Sequence, residues 1–480
     1  MARTRRVEFA LAPTLFLAAC ASVAEVSRED HDAAGQMIQT RLGVEAASPE
    51  SDAAVTAMFV ERAADGLSSD DAVAIALAAN PSLRIRLAEL GIASADVVAA
   101  QRLPNPVLSA SAKFFSGGSE IELSLMQPFL ALLSRAANIE AAEATRDRQL
   151  AVVAGEGVHL AFEVRRAYLE LATEEAALRI AEQRLDVVRK SDGIVESLHG
   201  AGNVDDLARA KARVDLSSAE LSLAQLQVSA EAAREPLQRM LGLWGGSPRW
   251  ELASEAPQLT PQGATASAGD SAEFERLALE ASLDLQSQRA RLEWALRKSD
   301  AEVREAVLGD SSLGVVAERE AAGKWGLGPG FQISLPLFDR GSARRSRVDA
   351  ELEREAQLYR SLELEIRSAA RLFQMRAKTL GELARVMEVS HMPALGAVVT
   401  EQLHQFNAMQ IGVFDVLTAR EQELNGRRDW IYAVRDAQLA QLDLQELLAG
   451  SLPRNRLDPS MEAKGSGRSA VAGDDSRKEH

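Results

Sequence analysis

Residues 164–228 read VRRAYLELATEEAALRIAEQRLDVVRKSDGIVESLHGAGNVDDLARAKARVDLSSAELSLAQLQV, and this stretch decides the fold. Apolar residues recur at every seventh position on both sides of a glycine-rich centre. They are Val164, Leu171, Leu178 and Leu185 before it, and Leu207, Val214, Leu221 and Val228 after it. Such a repeat keeps one seam of a helix facing a partner. The glycines and asparagine in 199–203 break the helix and permit a reversal, so the stretch predicts two long coiled-coil-like arms.

The predicted first arm is much longer than an ordinary helix. It covers about 65 residues, on the order of 100 Å, whereas globular helices average about 10 to 14 residues. The chain is 46% hydrophobic but only 4% aromatic, which fits long Ala/Leu/Glu/Arg helices better than a sheet-rich enzyme. Its net charge of −16 argues against a nucleic-acid partner. From the arms alone, a cytoplasmic coiled-coil rod remains an alternative.

The first residues are typical of a targeting segment. Residues 1–19 have a basic start and an apolar run too short to span a bilayer, which predicts a signal peptide. The run ends in LAAC and resembles a bacterial lipobox, so Cys20, the only cysteine, is expected to be lipidated. Ala21 follows it, which is compatible with the outer membrane. The alternative is cleavage at a small-residue site with an incidental cysteine. Residues 20–70 are predicted to be a polar, irregular segment behind this anchor.

Four stretches alternate between apolar and polar residues, which is the period of a β-strand. They predict strands at about 106–115, 120–128, 312–321 and 329–338. Turn signals separate the members of each pair, so two hairpins are expected. Each strand has about the length that crosses a membrane at a tilt. The alternative is a surface hairpin packed on a helix of a soluble protein.

If these hairpins cross a membrane, their polar face is expected to line a water-filled lumen. The residues predicted to line it are Ser109, Ser111, Lys113, Glu120, Glu122, Ser124, Glu318, Glu320, Gln332 and Ser334. The residues predicted to face lipid are Leu108, Phe114, Ile121, Leu123, Phe331 and Ile333. Arg319 interrupts the apolar face, and we expect it at the headgroup level, where its long stem can snorkel.

The order helix, hairpin, long helix, turn, long helix occurs twice. The first repeat covers 71–243 and the second 272–450, with a Gly/Pro/Ser/Ala-rich connector at 244–271. The heptad residues of the second repeat are Ile366, Phe373, Leu380 and Met387, then Leu417, Leu424 and Ile431. Residues 451–480 are polar and are predicted to be disordered. A rod has no reason to carry hairpins, so the combination favours a membrane-embedded sheet attached to a long soluble tube.

Several short motifs resemble the TolC family of outer-membrane efflux proteins. They are ANP at 79–81, PNP at 104–106, LPLFDR at 335–340 and FNAMQIGVFDVL at 406–417. Their order within a two-fold repeat carries the resemblance, which covers about 71–450. It implies a mainly α-helical protein with a membrane β-barrel portion. In that architecture, three protomers give four strands each to one barrel, and their helices form a periplasmic tunnel.

The resemblance also implies a function. The chain is expected to be the passive outer-membrane exit duct of a tripartite efflux system, working with a periplasmic adaptor and an inner-membrane pump. The second-tip and strand-end motifs look most like the heavy-metal efflux branch, so the cargo would be small solutes or metal ions. The alternative is the outer-membrane duct of a type I protein secretion system, which uses the same fold.

A gate is expected at the tips of the helical arms. Asp415 matches a position where the family carries an acidic constriction ring, and Asp206, beside Asp205, is expected at the equivalent place of the first repeat. Clustered carboxylates repel one another and favour cations. Thr418 stands where some members carry a second acid, and Ile411 where some carry a locking arginine. The alternative is that Asp415 is a solvated acid favoured by the dipole at a helix start.

Nothing in the sequence indicates catalysis, a cofactor or a bound metal. The six histidines are scattered, and none has metal-site spacing with Cys, Asp or Glu. No glycine-rich loop precedes a Lys-Ser/Thr pair. His391, Met387, Met392 and Met409 could be soft copper ligands, but ordinary helix residues near Pro393 explain them better. A periplasmic enzyme therefore lacks a site, and a structural lipoprotein rod does not account for the hairpins.

Overall fold

The computed structural model describes residues 23–44, 52–116, 118–128, 130–243, 250–253, 270–308, 311–320, 323–333, 335, 337 and 341–457. The predicted signal peptide, Cys20, Ser334 and most of the connector lie outside this part of the chain. The first half contains α1 (Val23–Leu42), α2 (Asp52–Arg62), α3 (Ser69–Ala79), α4 (Pro81–Gln101), β1 (Val107–Phe115), β2 (Gly118–Pro128), α5 (Leu130–Gly200) and α6 (Asp206–Met240). The second half contains α7 (Ser271–Ala281), α8 (Leu283–Leu308), β3 (Ser312–Arg319), β4 (Trp325–Gln332), α9 (Ser342–Val386), a π-helical turn (Met387–His391), α10 (Met392–Asn407), α11 (Val413–Ala449) and a 3-10 turn (Arg454–Arg456).

The two-fold order of elements agrees with the sequence analysis. Helix α5 has 71 residues, about 107 Å of helix. At the predicted break before α4, Asn80 takes an extended conformation, and Pro81 opens the next helix, where its missing N–H is not needed. The Asn80 side chain donates to the carbonyl of Met240 at 3.1 Å and accepts from the amide of Ser82 at 2.9 Å. One asparagine thus caps α4 and fixes the end of α6.

The chain forms two compact units. The first comprises Met1–Ala34, Leu87–Leu150 and Glu293–Ala350, and it contains the sheet. The second comprises Gly35–Arg86, Ala151–Leu292 and Glu351–His480, and it contains both helical tips. Within the described residues, no helix is long and apolar enough to cross a bilayer.

The sheet is antiparallel with strand order β1-β2-β3-β4. Its first three strands lie close to their predicted positions, but β4 starts earlier and ends earlier than the predicted 329–338. Glycines at 326, 328 and 330 obscure the alternation that would have revealed where this strand begins. Gly330 faces Gly314, and a side chain at 330 would come within 2.6 Å of Val316. The close approach of Val316 favours glycine at this position.

The core of the second unit follows the predicted heptads. On α9, Ile366 and Phe373 are fully buried, and they share a cluster with Leu444 and Leu447 of α11. Burying each such side chain contributes about 1.5 to 3 kcal/mol. Nearer the tips, Ile180 of α5 packs with Leu424 and Ile431 of α11 in a second cluster. Helix α11 is therefore held inside the protomer on its apolar seam.

The segment predicted to be irregular at 20–70 is instead largely helical. Helix α1 buries Ala34 and Ile38, four positions apart, an apolar face too narrow to stand out in the sequence. At its end, Arg41 donates to the carbonyls of Ala281 and Ala449, both at 2.7 Å. These carbonyls close α7 and α11, and a cation is favoured at helix C-termini. The prediction of an irregular segment was wrong.

The second repeat also continues past its predicted end at Gly450. Ser451 and Leu452 are buried, and Leu452 belongs to the core cluster of α9 and α11. The amide of Leu452 donates to the carboxylate of Asp284 at 3.1 Å. The described chain is ordered to Leu457, so the predicted boundary of the disordered tail at 451 was too early; residues 458–480 lie outside the described residues.

Candidate functional site

The register of the sheet separates two faces, because directly paired residues point to the same side. Ser109 pairs with Ser124, Ser111 with Glu122 and Lys113 with Glu120. The same face continues across β3 and β4. The predicted lumen residues that lie on it are Ser109, Ser111, Lys113, Glu120, Glu122, Ser124, Glu318 and Gln332. Glu320 follows β3 in the turn, where its amide donates to the carbonyl of Lys324 at 3.0 Å.

Charge is uneven on this polar face. Lys113 lies opposite Glu120, which is a favourable cross-strand pair. Glu122 lies directly opposite Glu318, and like charges in this position destabilise a sheet. The polar face therefore carries an excess of carboxylates that sheet stability does not explain.

The opposite face is apolar and open. Leu108 pairs with Leu125 and Leu313 with Phe331. The predicted lipid-facing strand residues Leu108, Phe114, Ile121, Leu123 and Phe331 all lie on this face, and Ile333 follows β4. Phe114 is 82% exposed and Phe331 is 73% exposed. So large an apolar surface marks an interaction with another molecule or with lipid.

The ends of the apolar face carry particular residues. At the turn end, Arg319 pairs with Ile121 on one side and with Trp325 on the other. Phe114 also lies towards this end and Phe331 towards the other. Aromatic residues at both rims, with a basic residue in one of them, are typical of a sheet that crosses a membrane.

The two helical tips share one turn geometry. In the first, the amide of Asn203 donates to the carbonyl of Leu198 at 2.9 Å; in the second, Gln410 donates to Gln405 at the same distance. The left-handed residue of the first turn is Gly202, at φ 73°, and that of the second is Met409, at φ 59°. Residues 202 and 409 are therefore equivalent.

This equivalence corrects one prediction about the gate. Asp205 caps α6 by accepting from the amide of Ala208 at 2.9 Å, and Gly412 holds the corresponding cap position of α11. Asp415 is three residues past its cap and so matches Ala208, not Asp206. The prediction matched Asp206 to Asp415 because each is an aspartate near the start of a return helix. The capping residues, which fix the alignment of the two helices, could not be identified from the sequence.

Each predicted gate acid has a local partner. Asp415 is exposed, and its carboxylate accepts from the amide of Gly412 at 3.0 Å, which satisfies a free donor at the start of α11. Asp206 accepts from Nε2 of His199 at 2.9 Å, and its side chain is 96% exposed. Both acids stabilise the tips locally and remain accessible to the solvent.

The return arm of the first repeat exposes its whole heptad seam. Leu207, Val214, Leu221 and Val228 are 60, 62, 65 and 70% exposed. Helix α6 instead packs through small residues, with Ala219 buried against Leu185 and Val188 of α5. An exposed apolar seam at heptad spacing is typical of a helix that packs against a partner helix.

Sequence reasoning missed a buried polar cluster that joins α5 to α11. Arg166 is 2% exposed and pairs with Asp443 at 2.8 Å and with Glu446, whose side chain is fully buried. Nδ1 of His159 lies 2.7 Å from the other oxygen of Glu446. This hydrogen bond raises the pKa of His159 above its usual value. The carboxylates of Asp443 and Glu446 outnumber the one arginine and therefore favour a protonated histidine. The only signal of this cluster in the sequence was a charged residue, Arg166, on the apolar face of α5.

The residues considered as copper ligands do not come together. Met387 and His391 bound the π-helical turn, and Met392 opens α10. Met409 lies beyond the 16 residues of that helix, about 24 Å further along. No group of three or more His, Cys, Asp or Glu side chains suited to a metal ion occurs among the residues that the structure describes.

A groove of about 300 Å³ lies near the tips, between α5, α6 and α11. Val188, Ala212, Phe414 and Leu417 form its apolar part, while Lys211, Asp215 and Glu421 lie at its polar part. Glu421 also accepts from Arg184 at 2.6 Å. The groove combines an apolar floor with fixed charges, which suits a helical partner better than a small ligand.

Comparison with known proteins finds similar sequences. Residues 72–243 match the family "outer membrane efflux protein". The cobalt-zinc-cadmium resistance protein CzcC of Cupriavidus metallidurans is 26% identical over 191 residues, which is 40% of this chain and 45% of that relative. The chain thus aligns with less than half of the length of this relative.

Solved structures show the same fold. The outer membrane protein VceC of Vibrio cholerae matches with a TM-score of 0.63 and 18% identity, over 80% of this chain and 96% of VceC. The structure of CusC matches with a TM-score of 0.61 and 18% identity, over 80% of this chain and 92% of CusC. The fold expected from the TolC resemblance is confirmed.

Proposed function

We propose that this chain, whose first repeat belongs to the outer membrane efflux protein family, is the passive exit duct of a tripartite efflux system. The observation that carries the proposal is the two-faced sheet: a polar face rich in carboxylates, an exposed apolar face, and two open edges. In the duct, the polar face lines the lumen and the apolar face meets the lipid of the outer membrane.

The open edges require more than one copy. Within the described sheet, strands β1 and β4 each pair on one side only. Unpaired backbone groups cannot face lipid, and single-chain barrels have at least about eight strands. Several protomers must therefore close one barrel, and the TolC-like fold favours three.

The helices offer matching surfaces for this association. The exposed seam of α6 contains Leu207, Val214, Leu221 and Val228, and a second exposed set lies on α9 and the π-helical turn. Its members are Leu364, Met375, Leu383, Val386 and Val389. Two different surfaces on one chain form head-to-tail contacts, which close into a ring when the rotation permits.

The charges favour a cationic cargo. Lys113 is the only base among the proposed lumen residues, which also include Glu120, Glu122, Glu318 and Glu320. An excess of carboxylates favours the passage of cations, and the relative CzcC is named for cobalt, zinc and cadmium. Metal cations delivered by an inner-membrane pump are the proposed cargo. A periplasmic adaptor would dock near the tips, where the groove beside α11 lies.

Two further features complete the proposal. Cys20 would carry the lipid anchor in the outer membrane, and Cys20→Ser should abolish palmitate labelling without unfolding the protein. Asp415 would form a ring of carboxylates at the narrow end of the duct, in addition to capping α11. These assignments account for the lipobox and for the exposed acid at the tip.

Planar-bilayer conductance with purified protein tests the function. We expect cross-linking to give a trimer and the channel to prefer cations. Asp415→Asn should reduce the cation preference and the block by multivalent cations, whereas Asp429→Asn, an exposed acid further along α11, should change neither. A monodisperse, conducting monomer would overturn the proposal. A duct that selects anions would overturn the cation cargo.

A further inference from the structure

The segment after β4 changes abruptly from apolar to basic. Leu335 and Leu337 are 70 and 69% exposed and continue the alternation of Phe331 and Ile333 beyond the last paired residue. Three residues later begins the stretch 340–347, which contains four arginines and no acid in a chain with a net charge of −16. An exposed apolar run followed at once by a basic cluster is the pattern of a membrane–water boundary.

Two of these arginines are exposed in the first turn of α9. Arg344 and Arg345 make no ion pair with any residue that the structure describes, although Asp349 lies only one turn further along the helix. Val348 is the only buried residue in the described stretch 342–350. Two guanidinium groups on one helical turn thus present their donors to the surroundings.

The first repeat lacks this arrangement. After β2, residues 130–140 contain a single arginine, Arg135. It donates to the carbonyl of Gln101 from Nε at 3.2 Å and from Nη2 at 2.7 Å. The corresponding arginine of the first repeat therefore has a structural role, so the basic cluster is a property of the second repeat rather than of the fold.

We propose that Arg344 and Arg345 bind the phosphate of an anionic phospholipid in the leaflet that borders the start of α9. The inference rests on the proposed function, since it needs the sheet to lie in a membrane. Guanidinium groups match phosphate oxygens in a bidentate geometry. Basic residues next to a membrane segment attract anionic headgroups by about one kcal/mol each, so two arginines should change the affinity about thirtyfold.

The test uses the full-length protein in nonionic detergent, with native mass spectrometry of added lipid. Phosphatidylglycerol should bind more tightly than phosphatidylethanolamine, and Arg344→Gln/Arg345→Gln should weaken phosphatidylglycerol binding about thirtyfold. The matched control is Lys378→Gln/Arg385→Gln, which removes the same charge from exposed positions further along α9. Equal binding of both lipids, or unchanged binding by the first variant, would overturn the inference.

Competition and conductance complete the test. If inorganic phosphate competes with phosphatidylglycerol at equal affinity, the site takes free phosphate and the assignment to a lipid is wrong. Conductance in planar bilayers separates the lipid site from the proposed duct function. If wild type and variant both conduct but neither prefers phosphatidylglycerol, the proposed lipid site is wrong and the proposed duct function stands. If neither inserts, both fail.

Discussion

The return arms of the two repeats, α6 and α11, begin from the same turn and bury equivalent small residues, Ala212 with Ala419 and Ala219 with Gly426, but they carry their apolar seams at different positions. With Gly202 matched to Met409, Val214, Leu221 and Val228 of α6 correspond to Glu421, Arg428 and Arg435 of α11. Leu417, Leu424 and Ile431, which are the apolar seam of α11, correspond to Ala210, Ser217 and Ala224 of α6.

The two apolar seams therefore differ in burial. The seam of α11 lies inside the protomer, where Leu424 is 2% and Ile431 is 4% exposed. The seam of α6 lies on the outside, at 60% exposure or more. One apolar seam thus lies in the core of the chain and the other is exposed, and we propose that a neighbouring copy covers the exposed one. The two arms share a turn geometry and a buried face of small residues, and they differ in that α11 buries its apolar seam as well.

The strongest test removes the proposed contact between copies. Val214→Asp/Leu221→Asp places two charges on the exposed seam of α6 and should abolish the trimer while the protomer stays helical. The control, Gln227→Asp/Ser229→Asp, puts two charges at exposed positions that point about 100° away from the adjacent seam residue, Val228, and should leave the trimer intact. Cross-linking and circular dichroism measure both effects. A trimer that survives the first variant would show that this seam is not an interface.

The corresponding change in α11 should act on the protomer. Leu424→Ala leaves a cavity between α11 and α5, and such truncations of buried leucine cost about 2 to 5 kcal/mol. The free energy of unfolding, measured on dissociated protomers in detergent, should fall by this amount. Leu221→Ala, at an exposed position of α6, should change it by about 0.5 kcal/mol or less. Equal losses from the two variants would remove the distinction between the arms.

The sequence was sufficient for much of this architecture. Seven-residue spacing revealed all four arms, and alternation revealed the two faces of the sheet, because both periods follow directly from backbone geometry. The sequence did not show which heptad seam is buried. Leu221 and Leu424 both belong to a seven-residue apolar repeat, and only the helices packed around them in the fold distinguish the exposed leucine from the buried one.

Other features were beyond reach for similar reasons. The glycines of β4 hid the start of that strand, because glycine has no side chain to show the alternation. The pairing of Arg166 with Glu446 joins residues that are distant in sequence and has no local signature. The alignment of the two helical tips depends on the capping hydrogen bonds of Asp205 and Asp415, which the sequence alone does not reveal.

The turns offer a smaller test of the same comparison. Gly202 takes its left-handed conformation without strain, so Gly202→Ala should lower the free energy of unfolding by about 1 to 2 kcal/mol. Met409 already bears that strain and is 93% exposed. Met409→Gly should therefore raise stability, but by less than about 1 kcal/mol, because glycine also gains freedom in the unfolded chain. Thermal unfolding of the two variants measures the difference. A loss of stability in Met409→Gly, or unchanged stability in Gly202→Ala, would contradict the assignment of strain to this position of the turn.

The smallest expected effect concerns the buried polar link between α5 and α11. Nδ1 of His159 donates to the carboxylate of Glu446 at 2.7 Å, and that hydrogen bond raises the pKa of His159 above its usual value. A histidine with a raised folded pKa contributes stability that is fully present below its unfolded pKa, about 6.5. This stability is lost as the pH rises through the folded value.

Stability should therefore decline slightly as the pH is raised from about 6 to above the folded pKa of His159. The side chain of His159 is 35% exposed, so solvent screening limits the effect to about 0.2 to 1 kcal/mol. His159→Gln, which keeps a hydrogen-bonding group near Glu446, should flatten the decline, and His199→Gln at the first tip should not. Denaturant unfolding of dissociated protomers at several pH values measures it. If the decline persists in His159→Gln, the titrating group lies elsewhere. The link between α5 and α11 would then be independent of pH, as we expect the surface contacts of α6 to be.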